Sequence, residues 1–182
     1  MTLPDGLGWV LLLAVLALWL LGAHNRITAL KSAVLSAWQQ VDAALQVRGQ
    51  ALAALLQAAA VPLASEAAAL EAVATAQAQV QAAADLVRRS PAVADPVAEL
   101  SKADAVLAAV LVRLLALVEQ QPGLLADPAV AATLKALREA PARLAFARQV
   151  FNEAGSAYNL ATAQFPTRLL GSVLRFGRAG RL

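Results

Sequence analysis

The sequence contains no cysteine, one histidine and few aromatic residues, which make up 4% of its 182 residues. Without cysteine there is no disulfide framework, thiolate nucleophile, iron–sulfur cluster or cysteine-based zinc site. The single histidine, His24, also excludes a two-histidine metal site. The sequence has no glycine-rich phosphate loop, and its serines share one histidine that could activate them. We therefore expect no enzymatic activity, no cofactor and no metal.

Charged residues are also sparse, at 15% of the chain, with a net charge of +3 whose basic excess lies near the two ends. The stretch from residue 61 to 123 is net negative, which does not suit nucleic-acid binding. Hydrophobic residues make up 60% of the chain and are mainly alanine, leucine and valine. Because alanine and leucine favour helices and no strand pattern competes, the composition predicts an all-α fold of long helices.

Residues 6–23, GLGWVLLLAVLALWLLGA, carry no charge. As a helix they would cover about 27 Å, close to the hydrocarbon thickness of a bilayer. Trp9 and Trp19 lie toward the two ends of this stretch, as interfacial tryptophans do. We interpret residues 1–23 as a transmembrane anchor.

A cleaved secretory signal is the alternative reading of this segment. Such a signal begins with a Lys/Arg-rich region, whereas the only charged side chain before the apolar run is Asp5. Arg26 and Lys31 follow the span, and positive charge favours the cytoplasmic side of a membrane. We therefore expect an uncleaved, single-pass anchor with its N-terminus outside and the rest of the chain in the cytoplasm.

From residue 24 onward, apolar residues recur at alternating spacings of three and four, which is typical of amphipathic helices. Prolines divide this pattern, and Asp95-Pro96 and Asp127-Pro128 are typical N-cap and N1 pairs. Pro141 predicts a kink in the last helix. The predicted helices span about 24–60, 63–89, 96–120 and 128–165. Short connections between long helices imply antiparallel neighbours, so we expect residues 24–166 to form an up-down helical bundle.

Helix register predicts a buried polar pair in this bundle. The first helix leaves the membrane from His24 and the last returns to Phe165, so equal rise per residue places Arg148 level with residue 41. Asp42 is adjacent. A charge-assisted pair between Asp42 and Arg148 would satisfy both side chains.

The same register places Asn152 near Trp38 and Asn159 near residue 30. The two asparagines lie on one helix face, ready to bond across helices. Asp104 also occupies an inward position, where it could be a functional acid or could reach water or an arginine. We interpret the polar network, to which Arg48 also belongs, as fixing helix register rather than binding a ligand.

Two segments of the sequence resemble patterns of the bacterial LemA family. Residues 37–48, AWQQVDAALQVR, fit the pattern AW-x-Q-[IV]-D-x-x-L-x-x-R. Residues 143–166 are similar to the pattern R-x-A-x-A-R-x-x-Y-N followed by YN and FP. The residues that carry this resemblance outside the polar network are Trp38, Phe151, Tyr158, Phe165 and Pro166.

The resemblance implies one N-terminal span, a helical bundle and a place in the bacterial inner membrane. Members are often encoded beside a membrane metallopeptidase, and a relative takes part in magnetosome membrane formation. We therefore expect a non-enzymatic scaffold or adaptor with a membrane-protein partner, for which a metallopeptidase is a candidate. Self-association stays open, because amphipathic helices can form coiled-coil seams with another copy.

The C-terminal tail, residues 167–182, contains no acidic residue. It carries four arginines among apolar residues, namely Arg168, Arg175, Arg178 and Arg181. This composition suits an anionic membrane surface, although a solvated terminus is the alternative reading. The tail therefore supports a second functional hypothesis, in which the protein is a lipid-surface module that organises membrane through its amphipathic helices and arginine-rich tail.

Overall fold

The computed structural model describes residues 5–164 and 178–182, and over these residues it is helical with no β-strand. The all-α prediction is confirmed. A single 3-10 turn, Ala64–Glu66, precedes the second helix. The helices, in chain order, are α1 (Asp5–Ala59), α2 (Ala67–Arg89), α3 (Ala94–Glu119), α4 (Pro122–Leu125) and α5 (Pro128–Ala163).

The long helices form an antiparallel bundle of two closely packed pairs. Helix α1 packs along α5, α2 packs along α3, and α1 also contacts α2. The core is built from the aliphatic positions of the sequence pattern, including Val41, Leu52, Leu55, Val73, Val80, Leu107, Leu114 and Leu134. Each fully buried side chain of this kind stabilises the fold by about 1.5–3 kcal/mol relative to an exposed one, so the repeated pattern accounts for the bundle.

Helix α1 is continuous from the apolar N-terminal stretch into the bundle. Its first part is exposed, with Trp9 at 68% and Leu18 at 70%, whereas Ile27 and Val34 are buried. Among the described residues α1 is the one helix long and apolar enough to cross a membrane. Large apolar side chains exposed all round a helix fit contact with lipid rather than water.

The helix ends follow local sequence signals in part. The Asp127 side chain caps α5 by accepting a hydrogen bond of 2.8 Å from the backbone N–H of Ala129, as predicted. Asp95 is not an N-cap, because α3 begins at Ala94, two residues before the predicted start at Pro96, and Val93 occupies the N-cap position. Asp95 lies in the first turn instead, where a negative charge still interacts favourably with the helix dipole.

Helix α5 continues through Pro141 without ending. The apolar pattern predicts Pro141 at an inward position, but Pro141 is exposed and Ala140 is buried in its place. The exposed position suits a proline, because its ring and its missing N–H are tolerated best on a solvent-facing side where no neighbouring helix must fit against them.

Candidate functional site

A cluster of three charged side chains, two of them buried and one partly exposed, joins three helices. Asp104 of α3 accepts hydrogen bonds from Arg48 of α1 on one carboxylate oxygen and from Arg148 of α5 on the other. Asp104 and Arg48 are 6% and 8% exposed. Because α3 belongs to one helix pair and the two arginines to the other, this triad fixes the two pairs against each other.

The predicted ion pair between Asp42 and Arg148 is wrong. Asp42 accepts hydrogen bonds from Arg88 of α2, at 2.6 and 3.2 Å, and from the Gln46 side chain at 3.0 Å, while Arg148 binds Asp104. The rise per residue fixes the position of a residue along the bundle axis. The direction of its side chain depends in addition on the rotation of about 100° per residue around the helix axis. Val41 therefore faces the core, and Asp42 points toward α2.

Aromatic residues of the motif lie in the core where α1 and α5 meet. Trp38 and Phe151 are buried and pack edge to face, with ring centroids 6.1 Å apart. This contact agrees with the register that placed Asn152 level with Trp38. Tyr158 is 2% exposed, and burial raises its pKa because the phenolate would lose hydration. Trp38 is thus a packing residue.

The two asparagines of α5 bind the C-terminal segment, residues 178–182. The Asn159 amide donates to the backbone C=O of Ala179 at 3.0 Å and accepts from the N–H of the same residue at 2.8 Å. Asn152 repeats this pattern on Leu182, with both distances 2.9 Å. Each amide therefore satisfies the main-chain donor and one main-chain acceptor oxygen of a single residue, as a neighbouring β-strand would.

The spacing of the asparagines explains the conformation of the bound segment. Asn152 and Asn159 are two turns apart, about 10.5 Å along α5. A chain covers about 10 Å between residue 179 and residue 182 only when it is extended. The amides were expected to bond across helices, and their partner is instead the backbone of the C-terminal segment.

Two glycines allow the segment to approach the helices closely. A Cβ added at Gly155 of α5 would lie 3.4 Å from the Ala179 Cβ and from the carbonyl oxygen of Gly180. A Cβ added at Gly180 would lie 2.8 Å from the Val97 Cβ and 3.0 Å from the backbone of Ala94. A side chain at position 180 would therefore require the bound segment to move away from α3.

The arginines of the tail face solvent where the structure describes them. Arg178 and Arg181 are exposed, while Ala179 between them is 6% exposed and belongs to the core. The predicted membrane-surface residues Arg168 and Arg175, and the motif residues Phe165 and Pro166, lie outside the described residues. Lipid binding by the tail stays a prediction.

The asparagine groove is defined here as Asn152, Gly155 and Asn159 of α5 with Ala94 and Val97 of α3. It recognises backbone polar groups and requires glycine at one position. A surface cavity of about 790 Å³ lies beside the bound segment, with Glu153 and Ser156 in its lining. Among residues 5–164 and 178–182 no cluster of histidine, aspartate and glutamate could hold a metal ion. The arrangement therefore provides binding of an extended chain.

Sequence reasoning missed the partners that complete these sites. Asp104 stood at an inward position of the apolar pattern, which was the available signal for a buried acid that needs arginine partners. Gly180 gave no signal, because its role depends on a contact between the C-terminal segment and α3. Arg88 lies in a polar run at the end of α2, where nothing distinguishes it from Arg89.

A long apolar helix that runs into an antiparallel helical bundle is compatible with a membrane-associated protein of the all-α class. The family model of LemA matches residues 37–181, and the chain belongs to the LemA family. No curated protein matches the chain significantly. The match includes both motif segments, the triad, the asparagine groove and residues 178–181 of the bound segment.

Proposed function

We propose that this LemA-family protein is a non-enzymatic adaptor of the bacterial inner membrane, with its bundle in the cytoplasm. The observation that carries the proposal is the continuity of α1 from its exposed apolar part into the bundle core. A continuous helix bends far less than a loop, so the bundle is held at a fixed height and orientation above the bilayer. Such an arrangement suits a protein that positions a partner at the membrane.

A surface groove between α1 and α5 supports a protein partner. It encloses about 350 Å³ and is lined largely by alanine side chains, with Val47 on one side and Phe146 on the other. Phe146 is 65% exposed and Val47 is 47% exposed. An exposed aromatic beside small residues is typical of a protein-binding surface, since aromatic anchors contribute most at interfaces. A membrane metallopeptidase is the first partner to examine, because family members are often encoded beside one.

Site-specific photocrosslinking in living cells tests the proposal. A benzophenone amino acid replaces exposed Phe146, and the matched control replaces Val112, which is 70% exposed on α3 and does not line the groove. We expect a discrete protein adduct from position 146 and none from position 112, with the partner identified by mass spectrometry. Adducts with lipid alone would overturn the adaptor proposal and favour the lipid-surface hypothesis.

A further inference from the structure

We propose that the asparagine groove is a peptide-binding site, occupied in this structure by the protein's own residues 178–182, and that a partner's extended segment with a small residue followed by glycine binds there when these residues leave. The inference deepens the proposed adaptor function by naming the kind of segment that the partner supplies. Its central observation is that two asparagine amides hold the backbone, not the side chains, of the bound segment.

Backbone recognition makes the groove tolerant of sequence. The four hydrogen bonds, of 2.8–3.0 Å, all involve main-chain groups of Ala179 and Leu182, and the Leu182 oxygen belongs to its main-chain carboxylate. Any residue except proline offers the same donor and acceptor. Arg178 and Arg181 alternate with the bound positions and point into solvent. Nothing in these contacts therefore requires that the segment belong to the same chain.

Selectivity comes from the space at two positions. Ala179 is buried against Gly155, which leaves room for a small side chain, and Gly180 passes α3 where no Cβ fits. A ligand must therefore present a small residue and then glycine in an extended conformation. This is the binding mode in which an extended peptide gains affinity from main-chain hydrogen bonds and specificity from side-chain pockets.

The walls of the groove belong to the helices α3 and α5 and not to the segment itself. The tethered segment competes with any free peptide, at an effective concentration of about 1 mM for a short tether. A free peptide with a dissociation constant of about 0.1 mM would then bind the intact protein about tenfold more weakly than a protein whose own segment is displaced.

Fluorescence anisotropy with a labelled synthetic peptide tests the inference on the full chain in detergent micelles. The peptide, FGRAGRL, copies residues 176–182. The Gly180→Leu variant displaces the protein's own segment but leaves the groove intact, and the Gly155→Leu variant obstructs the groove itself. Peptide binding should be at least tenfold tighter to Gly180→Leu than to the natural protein. Compared with Gly180→Leu, the Gly155→Leu variant should bind the peptide at least tenfold more weakly. The same loss should appear when Asn152→Ala and Asn159→Ala are added to Gly180→Leu.

A peptide with leucine at the position of Gly180 is the matched ligand control, and it should bind at least tenfold more weakly. Circular dichroism establishes that each variant is folded. Ala179→Pro is a second way to displace the segment, because it removes the N–H that donates a hydrogen bond to the Asn159 side-chain oxygen. Absence of saturable binding to both displaced variants, or equal binding of the control peptide, would overturn the inference.

Light scattering separates a partner's segment from that of a second copy. A dimer of the natural protein that disappears in Gly180→Leu would assign the groove to exchange between copies and overturn the partner assignment. Because these measurements use purified protein and a synthetic peptide, their failure is distinct from failure of the crosslinking experiment at Phe146.

Discussion

Replacing Asp104 by asparagine keeps the shape of the side chain but removes the negative charge between two arginines. Arg48, at 8% exposed, is left with a buried and unpaired positive charge. Removing one partner of a buried ion pair costs about 3–5 kcal/mol. The Arg148 side chain is 31% exposed, so solvent screens its share, which is at most about 1 kcal/mol. We therefore expect Asp104→Asn to destabilise the bundle by about 3–5 kcal/mol, mainly through Arg48.

Thermal unfolding of the full chain in detergent, followed by circular dichroism at 222 nm, measures this loss. For a domain of this size each kcal/mol lowers the Tm by about 2–4 °C, which predicts a decrease of about 6–20 °C. The matched control is Asp42→Asn, the same chemical change at a pair whose arginine, Arg88, is 42% exposed. Because exposed pairs contribute about 0–1 kcal/mol, the control should lower the Tm by less than about 4 °C.

A rescue variant separates the loss of charge pairing from other effects of the Asp104 substitution. Asp104→Leu combined with Arg48→Met and Arg148→Met replaces the whole triad by apolar side chains, which is often neutral or stabilising for buried ion networks. We expect its Tm to return to within about 4 °C of the natural protein. Equal decreases for Asp104→Asn and Asp42→Asn, together with no recovery in the triple variant, would refute the reasoning about the triad.

Three further predictions concern Tyr158, Pro141 and membrane topology. Tyr158 is the only tyrosine, so absorbance at 295 nm should show its ionisation at a higher pH in the folded protein than in denaturant, because burial raises its pKa. Since the pKa of Tyr158 is raised in the folded protein, the stability it contributes is complete below pH 10 and is lost as the pH rises through the folded pKa. Equal titration midpoints in the folded and the denatured protein would contradict this. Pro141→Ala should raise stability by about 1–3 kcal/mol in urea unfolding, because the new N–H restores a helical hydrogen bond at an exposed position; an unchanged midpoint would argue against it. The chain has no native cysteine, so single cysteines can report the membrane topology. Thr2→Cys should react with an impermeant maleimide in intact spheroplasts, whereas Ser101→Cys should react only after the inner membrane is permeabilised. The reverse pattern would overturn the proposed orientation.

The helices could be predicted closely because their signals are local. Spacing of apolar residues gave the four long helices, and the Asp127-Pro128 pair gave the start of α5. The single turn α4 was missed, since Pro122 and Gly123 read as a break in sequence. Local patterns also could not show that the apolar N-terminal stretch and the first bundle helix form one uninterrupted α1.

The candidate site was harder to predict because it depends on rotation and on distant contacts. The register arithmetic gave the height of Arg148 but not the direction of Asp42, and a one-residue difference sends a side chain to another helix. Asn152 and Asn159 were correctly grouped on one face, yet their partner lies in the C-terminal segment. That partner could not be recognised, because a backbone-binding site imposes no sequence on the segment except the small residues at 179 and 180.

The central claim is that residues 178–182 lie along α5 in the asparagine groove, and a disulfide tests it most directly. A Cβ at position 155 would lie 3.4 Å from the Ala179 Cβ, close to the separation in disulfides, and the chain has no native cysteine. Gly155→Cys with Ala179→Cys should form an intramolecular disulfide under mild oxidation, detected by mass spectrometry after thiol alkylation. Val112→Cys with Ala179→Cys, whose α3 position lies more than about 20 Å along the helix from Val97, should leave both thiols free. Free thiols in the first variant, or equal crosslinking in the two, would contradict the account.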